Sequence, residues 1–154
     1  MKVCFIGHKI IEKTESLIAL LKETIIRLIN KGATTFLFGS KSEFDSLAWE
    51  VVTQLKGEYS FIKRVYVRAN YKDITQNYND YLLKFYEETF FPTKVNKAGK
   101  NSYIKRNYEM IDNSNFCVFY YNKNYVPLNP QRSSGTKIAY KYAVKSKKEI
   151  INLY

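Results

Sequence analysis

Two short runs constrain this chain more than any other feature: KVCFIG at 2–7 and TTFLFG at 34–39, each ending in glycine and each followed by a segment of helical period. Strands that read as near-continuous apolar residues need cover on both faces, which is the situation of a strand inside a parallel sheet. From Glu12 to Lys31 the apolar residues Leu17, Ile18, Leu21, Ile25, Leu28 and Ile29 recur every three or four positions, and Gly32 supplies a stop. Phe44 to Leu55 repeats the pattern with Leu47, Ala48, Val51, Val52 and Leu55 on one side. Two successive strand–helix units imply a parallel sheet.

The remaining chain continues the alternation. FIKRVYVRA (61–69) reads as a third strand, NFCVFYY (115–121) as a fourth buried strand and EIINL as the last. Helices are expected over Asn101–Asp112 and Ser134–Ser146. Residues 70–100 are the least readable: Tyr78, Tyr81, Leu82, Phe85 and Tyr86 fit one face of a short helix, and FFPTKVNKAGK (90–100) reads as an exposed loop. The fold class expected is α/β, a single Rossmann-like doubly wound domain over 1–154 with a mostly parallel sheet and helices on both faces. At 154 residues the chain has the size of one domain with its own core.

Composition removes several classes. Hydrophobic residues are 45% and charged residues 25%, the balance of a folded globular protein. Cys4 and Cys117 lie inside apolar runs, which predicts two buried thiols rather than a disulfide framework. With one histidine and no Cys-x-x-Cys or His-x-x-x-His spacing, no metal site is expected, and no resident cofactor is called for. No signal peptide is evident and no apolar stretch approaches the ~20 residues of a membrane span, so a cytoplasmic location away from membranes is the expectation. The net charge of +11 suggests a nucleic-acid surface, but its lysines are scattered among abundant Asn, Ile, Tyr and Phe, as a coding bias toward A and T would produce.

In a doubly wound sheet, ligands sit outside the carboxyl ends of the strands where the strand order switches. That rule gathers Gly7-His8, Gly39-Ser40 and the 122–136 loop at one edge. Ser133-Ser134-Gly135-Thr136 opens the last helix, where amides, hydroxyls and the helix dipole can hold an anion, or where a serine simply caps the helix. Neither a P-loop nor a Gly-x-Gly-x-x-Gly fingerprint is present. Within FGSKSEFDSLA (38–48), Asp45 falls in a first helical turn, either capping amides or accepting hydrogen bonds from a ribose. Arg106 on YIKRNYEMIDNS, followed by Asn107 and Asp112, either faces solvent or forks onto phosphate or carboxylate. His8, at the first strand–helix turn, is a ligand contact or a hydrogen-bonded turn residue.

These segments, VCFIGHK, FGSKSEFDSLAWEVVTQLK, KRNYEMIDNSNFCVFYY and SSGTKIAYKYAVKSKKEIINL, stand in the order and spacing of the SLOG superfamily. The chain resembles that group, which holds the Lonely-Guy phosphoribohydrolases and DNA-processing Smf proteins, with the nearest likeness to the bacterial domain-of-unknown-function 1273 proteins. The likeness covers nearly the whole chain except about 70–100. It implies a nucleotide or nucleotide-derived ligand at the sheet edge. Gly7 and His8 match the first turn, Gly39, Ser40, Phe44 and Asp45 the second, and Arg106, Asn107 and Asp112 the helix before the fourth strand. Gly135 and Thr136 match the phosphate-binding Gly-Thr, with Ser133 and Ser134 ahead of them. Lonely-Guy enzymes carry Pro-Gly-Gly-x-Gly-Thr-x-x-Glu; here a longer polar loop ends Arg132-Ser133-Ser134, and Ala139 stands at the glutamate position.

Three readings follow. The first is a protein that binds or senses a nucleoside phosphate, an ADP-ribose-like molecule or a cyclic signal. The second is a nucleotide N-glycosidase or deoxyribosyltransferase-like enzyme with Arg106, Asp45 or Asp112 as catalytic candidates, since a carboxylate is needed for acid–base work and Ala139 cannot provide it. The third is a single-stranded nucleic-acid binder using lysines and tyrosines. The aromatic segment 78–91 packs in the core or forms a homo-oligomer contact.

Overall fold

The computed structural model describes residues 1–154 except Ser40, 71–74, Leu128 and 130–132. Its strands are β1 (Lys2–Gly7), β2 (Thr35–Phe38), β3 (Lys63–Val67), β4 (Glu88–Phe90), β5 (Phe116–Tyr120) and β6 (Glu149–Asn152). The helices are α1 (Glu15–Asn30), α2 (Glu43–Leu55), α3 (Gln76–Leu82), α4 (Ser102–Asp112) and α5 (Gly135–Lys145). All the strand pairs are parallel, in the order β4-β3-β2-β1-β5-β6. The chain winds outward from β1 to β4, returns to place β5 on the other side of β1, and continues to β6.

Strand side chains alternate between two layers, because successive residues of a strand point to opposite faces. Val3, Phe5, Phe36 and Phe38 meet α1 and α2 through Leu21, Ile25, Leu28 and Val52. Cys4, Ile6, Leu37 and Val65 meet α4 and α5 through Met110, Ile111, Ala139 and Ala143. Phe5 stacks on Phe38 with ring centroids 5.3 Å apart, which fills the first layer at its centre. Cys4 and Cys117 are register partners on β1 and β5, both buried and both free thiols. Among the described residues no helix is long and apolar enough to cross a membrane.

Local chemistry sets the helix starts. Thr14 Oγ1 accepts the Leu17 N–H at 3.1 Å, so α1 begins at Glu15, three residues later than the hydrophobic period alone suggests. The same device recurs at Ser42 for α2 and Ser134 for α5.

The segment read as an exposed loop, 90–100, differs from expectation. Phe90 closes β4, a short edge strand, and two 3₁₀ turns follow at Thr93–Val95 and Gly99–Asn101, with Val95 buried. The sequence ETF is too short and too polar to read as a strand. It pairs because Arg64 on β3 holds the adjoining Glu87: the guanidinium donates to Glu87 Oε1 at 2.7 Å and the Arg64 backbone N–H to Oε2 at 2.6 Å. The strand read as fourth is therefore β5. The short aromatic helix is α3, which ends at Leu82, so Phe85 and Tyr86 lie beyond it rather than on its face.

Candidate functional site

β1 and β5 are neighbours whose connections leave toward opposite sides of the sheet, which opens a crevice at their carboxyl ends. A cleft of about 310 Å³ occupies this position. Its floor is Gly7, where the backbone of β1 runs directly under α2; a Cβ at this glycine would overlap the Phe44 ring. Gly7 is thus required by a close approach between strand and helix.

His8 forms the inner wall and is 2% exposed. Its backbone N–H donates to Tyr120 O at 3.3 Å, and its ring stacks on Tyr125 with centroids 4.0 Å apart and planes 19° from parallel. The Asn122 N–H donates to His8 Nε2 at 2.9 Å, so the neutral ring carries its proton on Nδ1. Nδ1 is buried and has no hydrogen-bond partner among the described residues. Burial lowers the pKa of this ring below 6.5, which keeps the neutral form at physiological pH.

Two helix N-termini border the cleft. At α5, Ser134 Oγ accepts the Lys137 N–H at 3.1 Å, while the Gly135 and Thr136 amides belong to the first turn and have no intrahelical acceptor. Nothing lies within 4 Å of where a Gly135 Cβ would stand, so this turn faces open space. At α2, Ser42 Oγ accepts the Asp45 N–H at 3.1 Å, and Glu43 N–H donates to Lys9 O at 2.9 Å. Lys9 adds a cationic side chain to the lining, and Asn107 adds an amide from α4. Among the described residues the lining holds no carboxylate.

The sequence candidates divide by position. Gly7, His8, Asn107, Ser134, Gly135 and Thr136 line the cleft. Ser133 is exposed next to it. Gly39, Phe44, Asp45 and Arg106 lie beneath as its framework: the Gly39 N–H donates to Asp45 Oδ1 at 3.4 Å, and the Arg106 guanidinium donates to Gly39 O and, at 3.5 Å, to Val67 O. Arg106 is 3% exposed, and its Nε donates to Asn107 Oδ1 at 3.0 Å, so the arginine orients the amide that reaches the cleft. The reading of Arg106 as a solvent-facing side chain does not match this burial. Ser40 and Arg132 lie outside the described residues.

Asp112 is not brought to the cleft. It ends α4 six positions after Arg106, about 9 Å along the helix. There it accepts from Tyr142 Oη at 3.0 Å and pairs with Lys94 at 3.4 Å. Ala139 is buried in the layer between α5 and the sheet. Lys9 and Ser42 line the cleft as well, beyond the sequence candidates, and the 122–136 loop contributes Tyr125 and Pro127. The N-cap position of Ser42 was a usable signal; Tyr125 becomes visible only once β5 has placed it over His8.

An open parallel sheet with helices on both faces and a crevice at its switch point defines a Rossmann-like α/β protein. The YspA SLOG family model matches residues 6–153, and the chain belongs to that family. No curated protein sequence matches the chain. Among solved structures it is similar to DNA processing protein A from Helicobacter pylori, described for its unique single-stranded DNA binding mode, with a TM-score of 0.60 and 17% identity. That match covers 97% of this chain and 63% of the other, so the chain spans less than two thirds of its neighbour's length, and the likeness is one of fold.

Proposed function

We propose that this chain is a single SLOG-type unit that binds a nucleotide or nucleotide-derived ligand, with a phosphate at the mouth of α5. The carrying observation is the convergence of two donor types on one cleft, the first-turn amides at Gly135 and Thr136 and the Lys9 cation, beside the buried ring of His8. Helix N-termini attract anions through free amides and the helix dipole, and glycine at Gly135 lets a phosphate approach the backbone. The lining has no carboxylate among the described residues, which favours holding a ligand over cleaving an N-glycosidic bond. Asp45 is committed to Gly39 and Asp112 to Tyr142, so neither is poised as an acid or base at this cleft.

A thermal-shift and calorimetry panel of nucleoside mono- and diphosphates, ADP-ribose, NAD and cyclic nucleotides tests this reading. A bound ligand at about 100 times its Kd stabilises the native state by about 2.7 kcal/mol. The stabilisation is expected to vanish in Gly135→Asp, a change with steric room that puts a carboxylate where the phosphate would sit. Silence across the panel at millimolar ligand counts against the proposal.

Single-stranded nucleic acid is a second reading, favoured by the +11 charge and by the single-stranded DNA binding named for the Helicobacter pylori neighbour. Binding of an oligonucleotide that weakens steeply with salt supports it; no shift at low salt retires it.

A further inference from the structure

A second cavity, of about 340 Å³, lies on the other side of the α2 N-terminus, between α2, the end of β3 and α3. Six aromatic side chains wall it: Trp49, Tyr66, Tyr78, Tyr81, Phe85 and Tyr86. Tyr66 and Tyr86 are 5.2 Å apart between ring centroids, Trp49 and Tyr86 are 6.2 Å apart, and Tyr81 meets Phe85 edge-on at 5.3 Å. Aromatic walls of this density suit either an organic cation or a flat ring.

The electrostatics separate the two. Glu50, one of the two carboxylates at the rim, is already paired with Lys13 at 2.8 Å. Asp45, the other, accepts from the Gly39 N–H. The Arg64 guanidinium sits 5.4 Å from the Trp49 ring centre, so a cation of the protein already occupies that π-surface. The rest of the wall is uncharged, aromatic faces and edges with tyrosine hydroxyls, and behind it the Trp49 indole N–H is buried with no partner among the described residues. A donor of this kind is expensive to leave unsatisfied and calls for an acceptor. A heteroaromatic ring supplies both the π-face and in-plane acceptors.

We propose that this cavity is a stacking subsite for a nucleobase, purine or pyrimidine, separate from the phosphate cleft. It deepens the nucleotide reading, since Ser42 borders one cavity and Asp45 and Ser46 the other, within a single turn of α2. The volume lies near the low end of the ~300–1,000 Å³ typical of ligand pockets, enough for one base with its sugar.

The chain has one tryptophan and it stands in this wall, so its fluorescence reports on the cavity directly. The probes are adenosine, guanosine, cytidine and uridine, which carry no phosphate, with inorganic phosphate as the opposite control. Saturable quenching by at least one nucleoside is expected, weakened about tenfold in Tyr81→Ala and in Phe85→Ala, because one stacked aromatic contributes about that much to base binding. Both side chains are partly exposed, at 52% and 40%, so their removal leaves the core intact. Quenching is also expected to survive in Gly135→Asp, which separates this subsite from the phosphate cleft. Linear, unsaturable quenching identical to that of free tryptophan, or saturable quenching unchanged in both variants, overturns the proposal. Nucleotide binding that Gly135→Asp abolishes, with no tryptophan response in the native chain, would leave the phosphate reading standing and remove this one.

Discussion

The guanidinium of Arg106 donates to the main-chain carbonyl of Gly39, joining the middle of α4 to the end of β2, and reaches the Val67 carbonyl at the end of β3 as well. One buried cation therefore ties two strand ends to the helix that carries Asn107 into the cleft. Replacing it by leucine leaves acceptors without a donor in a site closed to water. Arg106→Leu is expected to cost about 2–4 kcal/mol in urea unfolding. Arg106→Lys should recover less than half of that, since an ammonium cannot serve separate acceptors in the plane of a guanidinium.

Gly7 and Phe44 test the close approach of β1 and α2. A methyl group at Gly7 overlaps the Phe44 ring, which is fully buried. Gly7→Ala is expected to destabilise by about 2–3 kcal/mol, the range for overpacking a tight core. In a Phe44→Leu background the same change should cost clearly less, because the two effects share one volume; additivity in a double-mutant cycle would refute the contact as the cause.

His8 predicts a pH dependence with a definite sign. Burial holds the folded ring below its ordinary 6.5, so as pH falls through that value the unfolded chain takes up the proton first. Stability is full above about 6.5, declines with acidification down to the lower folded value, and then levels. Denaturant midpoints from pH 7.5 to 5 should show this decline in the native chain and lose it in His8→Gln.

Glu87 acts further down the scale. Burial alone would raise its carboxyl, but the Arg64 side chain and backbone N–H, with Lys56, outweigh it and hold it at about 2. Its folded value lies below its ordinary 4.5, so its contribution is present above about 4.5 and lost as pH falls toward 2. Glu87→Gln should cost about 1–2 kcal/mol at pH 7, discounted for partial exposure, with native and variant converging by pH 2. A gap that persists at pH 2 would show that the side chain acts by packing.

The features legible in the sequence are those set by neighbours along the chain. Leu17, Leu21, Ile25 and Leu28 define a helical stripe whatever they pack against, and KVCFIG and NFCVFYY announce buried strands by apolar content. The cleft was legible for the same reason: Gly7-His8 and Ser134-Gly135-Thr136 are turn and cap chemistry, and the switch-point rule places such turns together.

What tertiary structure decided is every property that depends on a partner distant in sequence. Arg106 and Asp112 looked equivalent as polar residues on one helix; burial against Gly39 made the first a structural tie, and 9 Å of helix rise, roughly, carried the second away from the cleft. β4 exists because Arg64 grips Glu87, an interaction across 23 residues that no local propensity encodes. The aromatic cavity has the same origin: Trp49, Tyr66, Tyr81 and Tyr86 come from a helix, a strand, a second helix and the turn after it. Local periodicity reports which face of an element is apolar, whereas side-chain burial and electrostatic partnership are fixed only when the sheet has been assembled around them.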